Sequence, residues 1–94
     1  MSKKRELIWH VTGTVIETIY NIGARNKPYW QVIIEIDDGY VCLYARSDEM
    51  RPIAEGLAVG EKIEASGKVK PQKSVGDAKR PLFLDPVEHL SPID

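Results

Sequence analysis

The sequence predicts an all-β fold, a small five-stranded barrel with one short helix. Apolar residues alternate with polar ones through several segments that turn residues separate, and this is the period of a half-buried strand. One stretch instead spaces its apolar residues at i, i+3, i+4 and i+7, as one face of a helix does. The predicted order is three strands, a helix and two strands. A parallel α/β unit would alternate strands with helices, so that class is disfavoured.

The first strand is predicted from Leu7 to about Tyr20. Beyond Gly13 its apolar residues change parity, since Ile16 and Ile19 lie on opposite sides. A bulge or bend near this point explains the change. Before it, the residues that share the inward parity are Trp9, Val11, Gly13 and Val15.

The second and third strands are predicted at Tyr29 to Asp37 and at Tyr40 to Arg46. A polar turn from Asn21 to Pro28 precedes them, and Asp38-Gly39 joins them as a two-residue hairpin. Their inward residues are Trp30, Val32, Ile34 and Ile36, then Val41, Leu43 and Ala45. Trp9 and Trp30 are therefore expected in the core, where large rings pack well.

The helix is predicted after Ser47, a residue type that caps helix N-termini. Acidic residues follow directly, where they suit the positive end of the helix dipole, and Pro52 is tolerated in a first turn. Gly60 ends the segment. The apolar stripe is Met50, Ile53, Ala54 and Leu57.

The last two strands are predicted at Lys62 to Lys70 and at Leu82 to His89, with a polar loop between them. In the fourth strand Ile63, Ala65, Gly67 and Val69 face inward, and Lys62, Glu64, Ser66 and Lys68 face water. An inward Gly67 permits a sharp bend or a close approach of another strand. Pro86 interrupts the fifth strand and is typical of an edge or a strand end.

The 94 residues are enough for one modest core, and we expect a basic tail at 1–6 followed by one domain at 7–94. No apolar run approaches the ~20 residues of a membrane helix. The basic start lacks the apolar core of a secretory leader. Cys42 is the single cysteine, which excludes an internal disulfide and fits a reducing compartment. These features indicate an intracellular, cytoplasmic protein with no membrane partner.

Positive charge is concentrated in two predicted loops, although the chain as a whole carries −1. One loop, at 21–30, contains Arg25 and Lys27 and no acid. The segment 68–80 carries five bases against Asp77. A focused basic patch matters more for association than the total charge does. Solvated, lysine-rich loops without a ligand are the alternative interpretation.

The element order and several short motifs resemble the OB-fold of single-stranded DNA-binding proteins and of primosomal and tRNA-anticodon-type modules. The motifs are Val11-Thr12-Gly13-Thr14-Val15, Gly60-Glu61-Lys62-Ile63, Gly67-Lys68-Val69, Leu82-Phe83-Leu84 and Val87-Glu88-His89-Leu90. The resemblance implies a five-stranded Greek-key barrel whose helix lies between strands three and four. An SH3-like barrel or a partly open meander is the alternative fold.

The resemblance also implies a binding surface on the outer face of strands two and three, between two loops. The strand positions are Tyr29, Gln31, Ile33, Tyr40, Tyr44 and Arg46. The loop positions are Arg25, Asn26, Lys27, Lys70, Lys73, Lys79 and Arg80. Tyrosine rings would stack on bases and the cations would contact phosphates. Cross-strand packing of the tyrosines, with no ligand, is the alternative for that residue type. Glu35 and the acidic turn at 37–38 count against phosphate binding at that end.

These residues indicate non-catalytic binding of single-stranded nucleic acid, with DNA favoured over RNA. The alternative is a protein-interaction or assembly module that binds a protein partner or a second copy of itself. His10, His89 and Cys42 lack the spacing of zinc ligands, so we expect no metal site. No catalytic or phosphate-loop motif is present, and we expect neither enzymatic activity nor a cofactor.

Overall fold

Five strands and one short α-helix follow one another in the predicted order. The computed structural model describes residues 8–37, 39–70 and 82–93. The elements are β1 (Ile8–Ile22), β2 (Pro28–Ile36), β3 (Gly39–Ala45), α1 (Met50–Glu55), β4 (Lys62–Lys70) and β5 (Leu82–Pro92), with a 3-10 turn at Ala24–Asn26 between β1 and β2. The predicted hairpin residue Asp38, the basic tail and the whole of the 71–80 loop, with its predicted cations, lie outside the described residues.

The strands form a closed barrel in the order β1-β2-β3-β5-β4, and β4 returns to pair with β1. Every neighbouring pair is antiparallel except β3 and β5, which are parallel. This is the OB-fold topology, with the helix between β3 and β4 as predicted. The predicted all-β fold class is confirmed.

A bulge divides β1 into two halves. Val15 pairs with Ile34 and Glu17 with Ile33, so Ile16 is an extra residue in the ladder. The predicted bulge is confirmed, and it explains the parity change, because an extra residue exchanges the inward and outward sides. The half before the bulge pairs with β4 and, at Thr14 and Val15, also with β2, whereas the half after it pairs with β2 alone.

The core consists of the inward side chains of all five strands and of α1. Met50, Ala54 and Leu57 are buried, and Ile53 packs against the cluster, as the stripe predicts. The Ser47 hydroxyl accepts a hydrogen bond from the Met50 amide at 3.1 Å, so it supports the start of α1. No helix in the described ranges is long and apolar enough to cross a membrane.

Trp9 does not lie in the core as predicted, since 40% of its surface is exposed. Its partner across the ladder is Gly67, which has no side chain to pack against the indole. Trp30 packs against the core while remaining partly exposed. The prediction is therefore wrong for Trp9 and confirmed for Trp30.

Gly67 lets β5 approach β4 closely. A Cβ at this position would lie 2.5 Å from the Pro86 carbonyl oxygen and 2.7 Å from the Val87 Cα. The predicted close approach is confirmed. The edge or strand-end position predicted for Pro86 is wrong, because Pro86 lies within β5, which stands between β3 and β4. The pairing with β3 ends at Leu84, and a register shift against β4 accommodates the proline. Ser66 is also buried rather than wet, since His10 and His89 stand opposite it on the two neighbouring strands.

Candidate functional site

Three aromatic rings meet on the outer face of the barrel, each from a different strand. Tyr29 of β2 stacks on Tyr44 of β3, with ring centroids 5.8 Å apart and 24° between the planes. Tyr44 in turn meets Phe83 of β5 edge to face at 5.6 Å. All three rings are partly exposed. We call Tyr29, Tyr44 and Phe83 the aromatic cluster.

Strand register brings these rings together. Gln31 pairs with Tyr44 across β2 and β3, and Cys42 pairs with Phe83 across β3 and β5. Paired residues share a face, and residues two apart on a strand share it too. Tyr29, Tyr44 and Phe83 therefore lie within one pleat of each other on the side away from the core.

Amide side chains hold the middle of this face in place. The Asn21 amide donates to Gln31 Oε1 at 2.7 Å, and Gln31 Nε2 donates to the Tyr44 hydroxyl at 3.2 Å. Gln31 Nε2 also lies 3.6 Å from the Cys42 Sγ. The chain of bonds fixes the orientation of the Gln31 amide and limits the movement of the Tyr44 ring.

The Cys42 thiol and the Tyr44 hydroxyl are neutral at pH 7. Burial raises the pKa of the Cys42 thiol, and hydrogen bonds with Gln31 and Tyr44 offset part of that rise. Burial also raises the pKa of Tyr44. The face therefore offers rings and neutral hydrogen-bonding groups rather than negative charge at its centre.

Arg46 adds a cation above the rings. Its guanidinium carbon lies 4.5 Å from the Tyr29 ring centroid and 5.1 Å from that of Tyr44, within the range of a cation–π contact. Asp85 of β5 accepts from Arg46 Nε at 2.6 Å and from Nη2 at 3.1 Å. This bidentate hydrogen bond with Asp85 raises the pKa of Arg46.

The β1–β2 connection lies at the same end of the face and is basic. Arg25 and Asn26 adopt left-handed backbone conformations in its 3-10 turn. The Gly23 amide closes the turn by donating to the Lys27 carbonyl at 2.8 Å. A groove of ≈ 510 Å³ separates this turn from the start of α1, and its charged lining residues are Lys27, Arg46, Asp48 and Arg51.

Tyr40 lies at the opposite end of β3. It is four residues from Tyr44, or about 13 Å at ~3.3 Å per residue. It is 50% exposed and pairs with Glu35. The structure thus brings Tyr29, Gln31, Tyr44 and Arg46 together, with Arg25 and Lys27 in the loop at their end, and it leaves Tyr40 apart. Lys70 ends β4, while Lys73, Lys79 and Arg80 lie outside the described residues.

Phe83, Asp85 and Arg51 were not predicted as site residues. Phe83 and Asp85 join the site because β5 runs beside β3, and this arrangement brings Asp85 to Arg46, which is 39 residues away in sequence. In the sequence, only the alternation of Phe83 with Leu84 indicates that Phe83 faces outward. Pro86 interrupts the strand, so the alternation could not be extended to Asp85. Arg51 lies in α1, and from the sequence a charge there indicates only a solvated helix face.

The described residues contain no group of three or more His, Cys, Asp and Glu side chains that could hold a metal ion. Comparison with models of protein families finds no match for the chain, and comparison with the sequences of curated proteins finds none. Among solved structures, the chain is similar to the small single-stranded DNA-binding protein from Streptomyces coelicolor.

The superposed folds have a TM-score of 0.69 and cover 97% of this chain and 96% of the Streptomyces chain, with 13% sequence identity. The two proteins share a fold. At this level of identity the similarity does not extend to individual binding residues, so a role for this chain depends on the geometry of its own outer face.

Proposed function

We propose that the protein binds single-stranded nucleic acid, DNA in preference to RNA, on the outer face of β2 and β3 without catalysing a reaction. The observation that carries this proposal is the aromatic cluster, three partly exposed rings from three strands. Bases of any sequence have flat faces, and base–aromatic stacking contributes roughly 1–3 kcal/mol per base. The proposal therefore involves binding with little sequence preference.

Cations border the aromatic cluster at the end where a bound nucleic-acid strand would continue past it. Arg25 and Lys27 are exposed in the β1–β2 turn, and Lys27 lines the groove between this turn and α1, which Arg46 also lines. Cations placed in this way neutralise phosphates and release counterions. We propose the opposite border at Lys70, which ends β4, and at Lys73, Lys79 and Arg80 of the connection between β4 and β5.

The preference for DNA is supported by the shared fold with a protein that is named for binding single-stranded DNA. We propose no cofactor for this function. Stacking and phosphate contacts need no metal or prosthetic group.

Fluorescence anisotropy with labelled oligo-dT, oligo-U and a DNA duplex tests the proposal. We expect saturable binding to the single strands, tighter for oligo-dT, weakened by salt and poor on the duplex. Flat curves for both single strands at low salt and high protein concentration would contradict it. Equal affinity for oligo-dT and oligo-U would contradict only the preference for DNA.

A second candidate function, assembly through a protein contact, is favoured by the second half of β1. Within the described residues, β4 pairs with β1 only as far as Thr14, and the bulge begins after Val15. Beyond it, Ile16, Tyr20 and Ile22 are 39%, 52% and 64% exposed. Exposed apolar side chains on a strand with one paired edge are typical of a protein contact. Sedimentation of the purified protein over a concentration series tests self-association.

A further inference from the structure

We propose that Asp85 directs Arg46 toward bases and away from phosphates, and that this makes the face selective for single strands over duplex. The inference rests on the proposed function and deepens it. Asp85 lies beside the aromatic cluster, on a strand that sequence patterns did not associate with binding.

The first step concerns which part of Arg46 a ligand can reach. A guanidinium has two edges that can each bind a phosphate through a pair of N–H groups, one formed by Nε with an Nη group and one by the two Nη groups. Asp85 occupies the Nε–Nη2 edge, at 2.6 and 3.1 Å, and its carboxylate offsets the charge that a phosphate would meet at the other edge. The contacts of Arg46 with the rings of Tyr29 and Tyr44 instead use its planar cation, which suits stacking.

The second step concerns the stability of the pair in a complex. The Asp85 side chain is 14% exposed and that of Arg46 is 45% exposed. A phosphate that took the Nε–Nη2 edge would leave a largely buried carboxylate without its partner, close to a second anion. Leaving such a charge unpaired is costly. The pair therefore stays intact when a ligand binds, and Arg46 contributes through its plane and its exposed surface.

The consequence is a face with little net charge at its centre. Arg46 and Asp85 cancel, and Gln31, Cys42 and Tyr44 are neutral. A duplex presents mainly phosphates at its surface, whereas a single strand presents bases. Because the charge of Arg46 is neutralised, a phosphate contact here contributes little binding free energy, whereas stacking of a base on the rings contributes much. The Arg46–Asp85 pair therefore favours single strands.

The substitution Asp85→Asn tests the proposal by releasing the Arg46 edge while keeping the size of the side chain. Because one more cation then meets phosphates, the salt dependence should steepen by about 0.7 in log–log slope for a single strand. Between about 50 and 200 mM salt this is about threefold more loss of affinity than in the wild type. Duplex binding should rise relative to oligo-dT. Glu88→Gln, an exposed position on the same strand, is the matched control for charge and should change neither quantity as much.

A second variant, Arg46→Lys, keeps the charge and removes the planar fork. We expect a several-fold loss of oligo-dT affinity, since lysine cannot stack as a guanidinium does. Undiminished affinity would show that Arg46 acts as a point charge on phosphate and would overturn the proposal. This variant remains informative if Asp85→Asn does not fold.

The wild-type titration separates the two proposals. If wild-type protein does not bind oligo-dT, the proposed function fails, and with it the role of the pair. If wild-type protein binds but Asp85→Asn has the same salt slope and the same ratio of single-strand to duplex affinity, only the role of Asp85 is overturned.

Discussion

The two ends of the outer face differ although the same two strands form both. At one end, Tyr29 and Tyr44 stack beneath Arg46, and the basic β1–β2 turn stands next to them. At the other end, Tyr40 is half exposed beside Glu35, close to the exposed Asp37. Tyrosines occur at both ends, so residue type alone does not distinguish them.

The difference follows from where β5 runs. It is paired with β3 from Val41 to Leu43, so Phe83 and Asp85 come to lie near Tyr44 and Arg46. Tyr40 precedes this pairing and receives no ring from β5 within the described residues. A tyrosine on an outward strand position of this barrel gains aromatic and charged neighbours only where β5 runs beside β3.

The largest expected effect comes from displacing β5. Gly67→Ala would place a Cβ 2.5 Å from the Pro86 carbonyl oxygen, and a backbone atom cannot move aside cheaply. We expect a loss of about 3 kcal/mol in the free energy of unfolding, measured by urea denaturation. Since Pro86 adjoins Asp85, the end with the aromatic cluster should be disturbed most.

Gly56→Ala is the matched control for this substitution. Its Cβ would meet nothing closer than 3.7 Å, and Gly56 has an ordinary helical backbone. We expect a gain of about 0.5 kcal/mol, because alanine restricts the unfolded chain. Equal destabilisation by both variants would contradict the importance of the β4–β5 approach.

The next effect separates the two ends directly. Tyr44→Ala should weaken oligo-dT binding by about 2 kcal/mol, since it removes the central ring of the aromatic cluster. Tyr40→Ala, on the same strand and also outward, should cost less than about 0.5 kcal/mol. Anisotropy titrations of the two folded variants measure this, and equal losses would contradict the assignment of the site to one end.

A smaller effect is expected from the basic turn. Lys27→Gln removes one cation beside the groove, so the salt dependence should become shallower by about 0.7 in log–log slope. At low salt the affinity for oligo-dT should fall about threefold, and the difference should shrink as salt rises. A loss that is independent of salt would indicate a change in the turn rather than a lost phosphate contact.

The smallest effect is expected at the acidic end. Glu35→Gln removes a negative charge, and at about 10 Å from a phosphate this is worth ~0.4 kcal/mol in water, or about twofold in affinity. The gain should vanish at high salt because exposed charges are screened. A larger gain in affinity would indicate that the bound oligonucleotide lies closer to Tyr40 than we propose.

The sequence by itself determined the elements and the fold class. Alternation placed β2, β3 and β4 within a residue or so of their observed bounds, and the parity change in β1 located the bulge. The helix stripe and the cap at Ser47 were equally local signals. These predictions succeeded because burial of one face leaves a period in the sequence that neighbouring residues reveal.

Only the tertiary structure decided which outward residues lie together in the proposed site. The parallel pairing of β3 with β5 brings Asp85 to Arg46 across 39 residues, and nothing in either segment specifies that partner. The same holds for the exposure of Trp9 opposite Gly67 and for Pro86 inside a paired strand. Side-chain periodicity reports which face of a strand is buried, whereas contacts between faces depend on how the whole barrel closes.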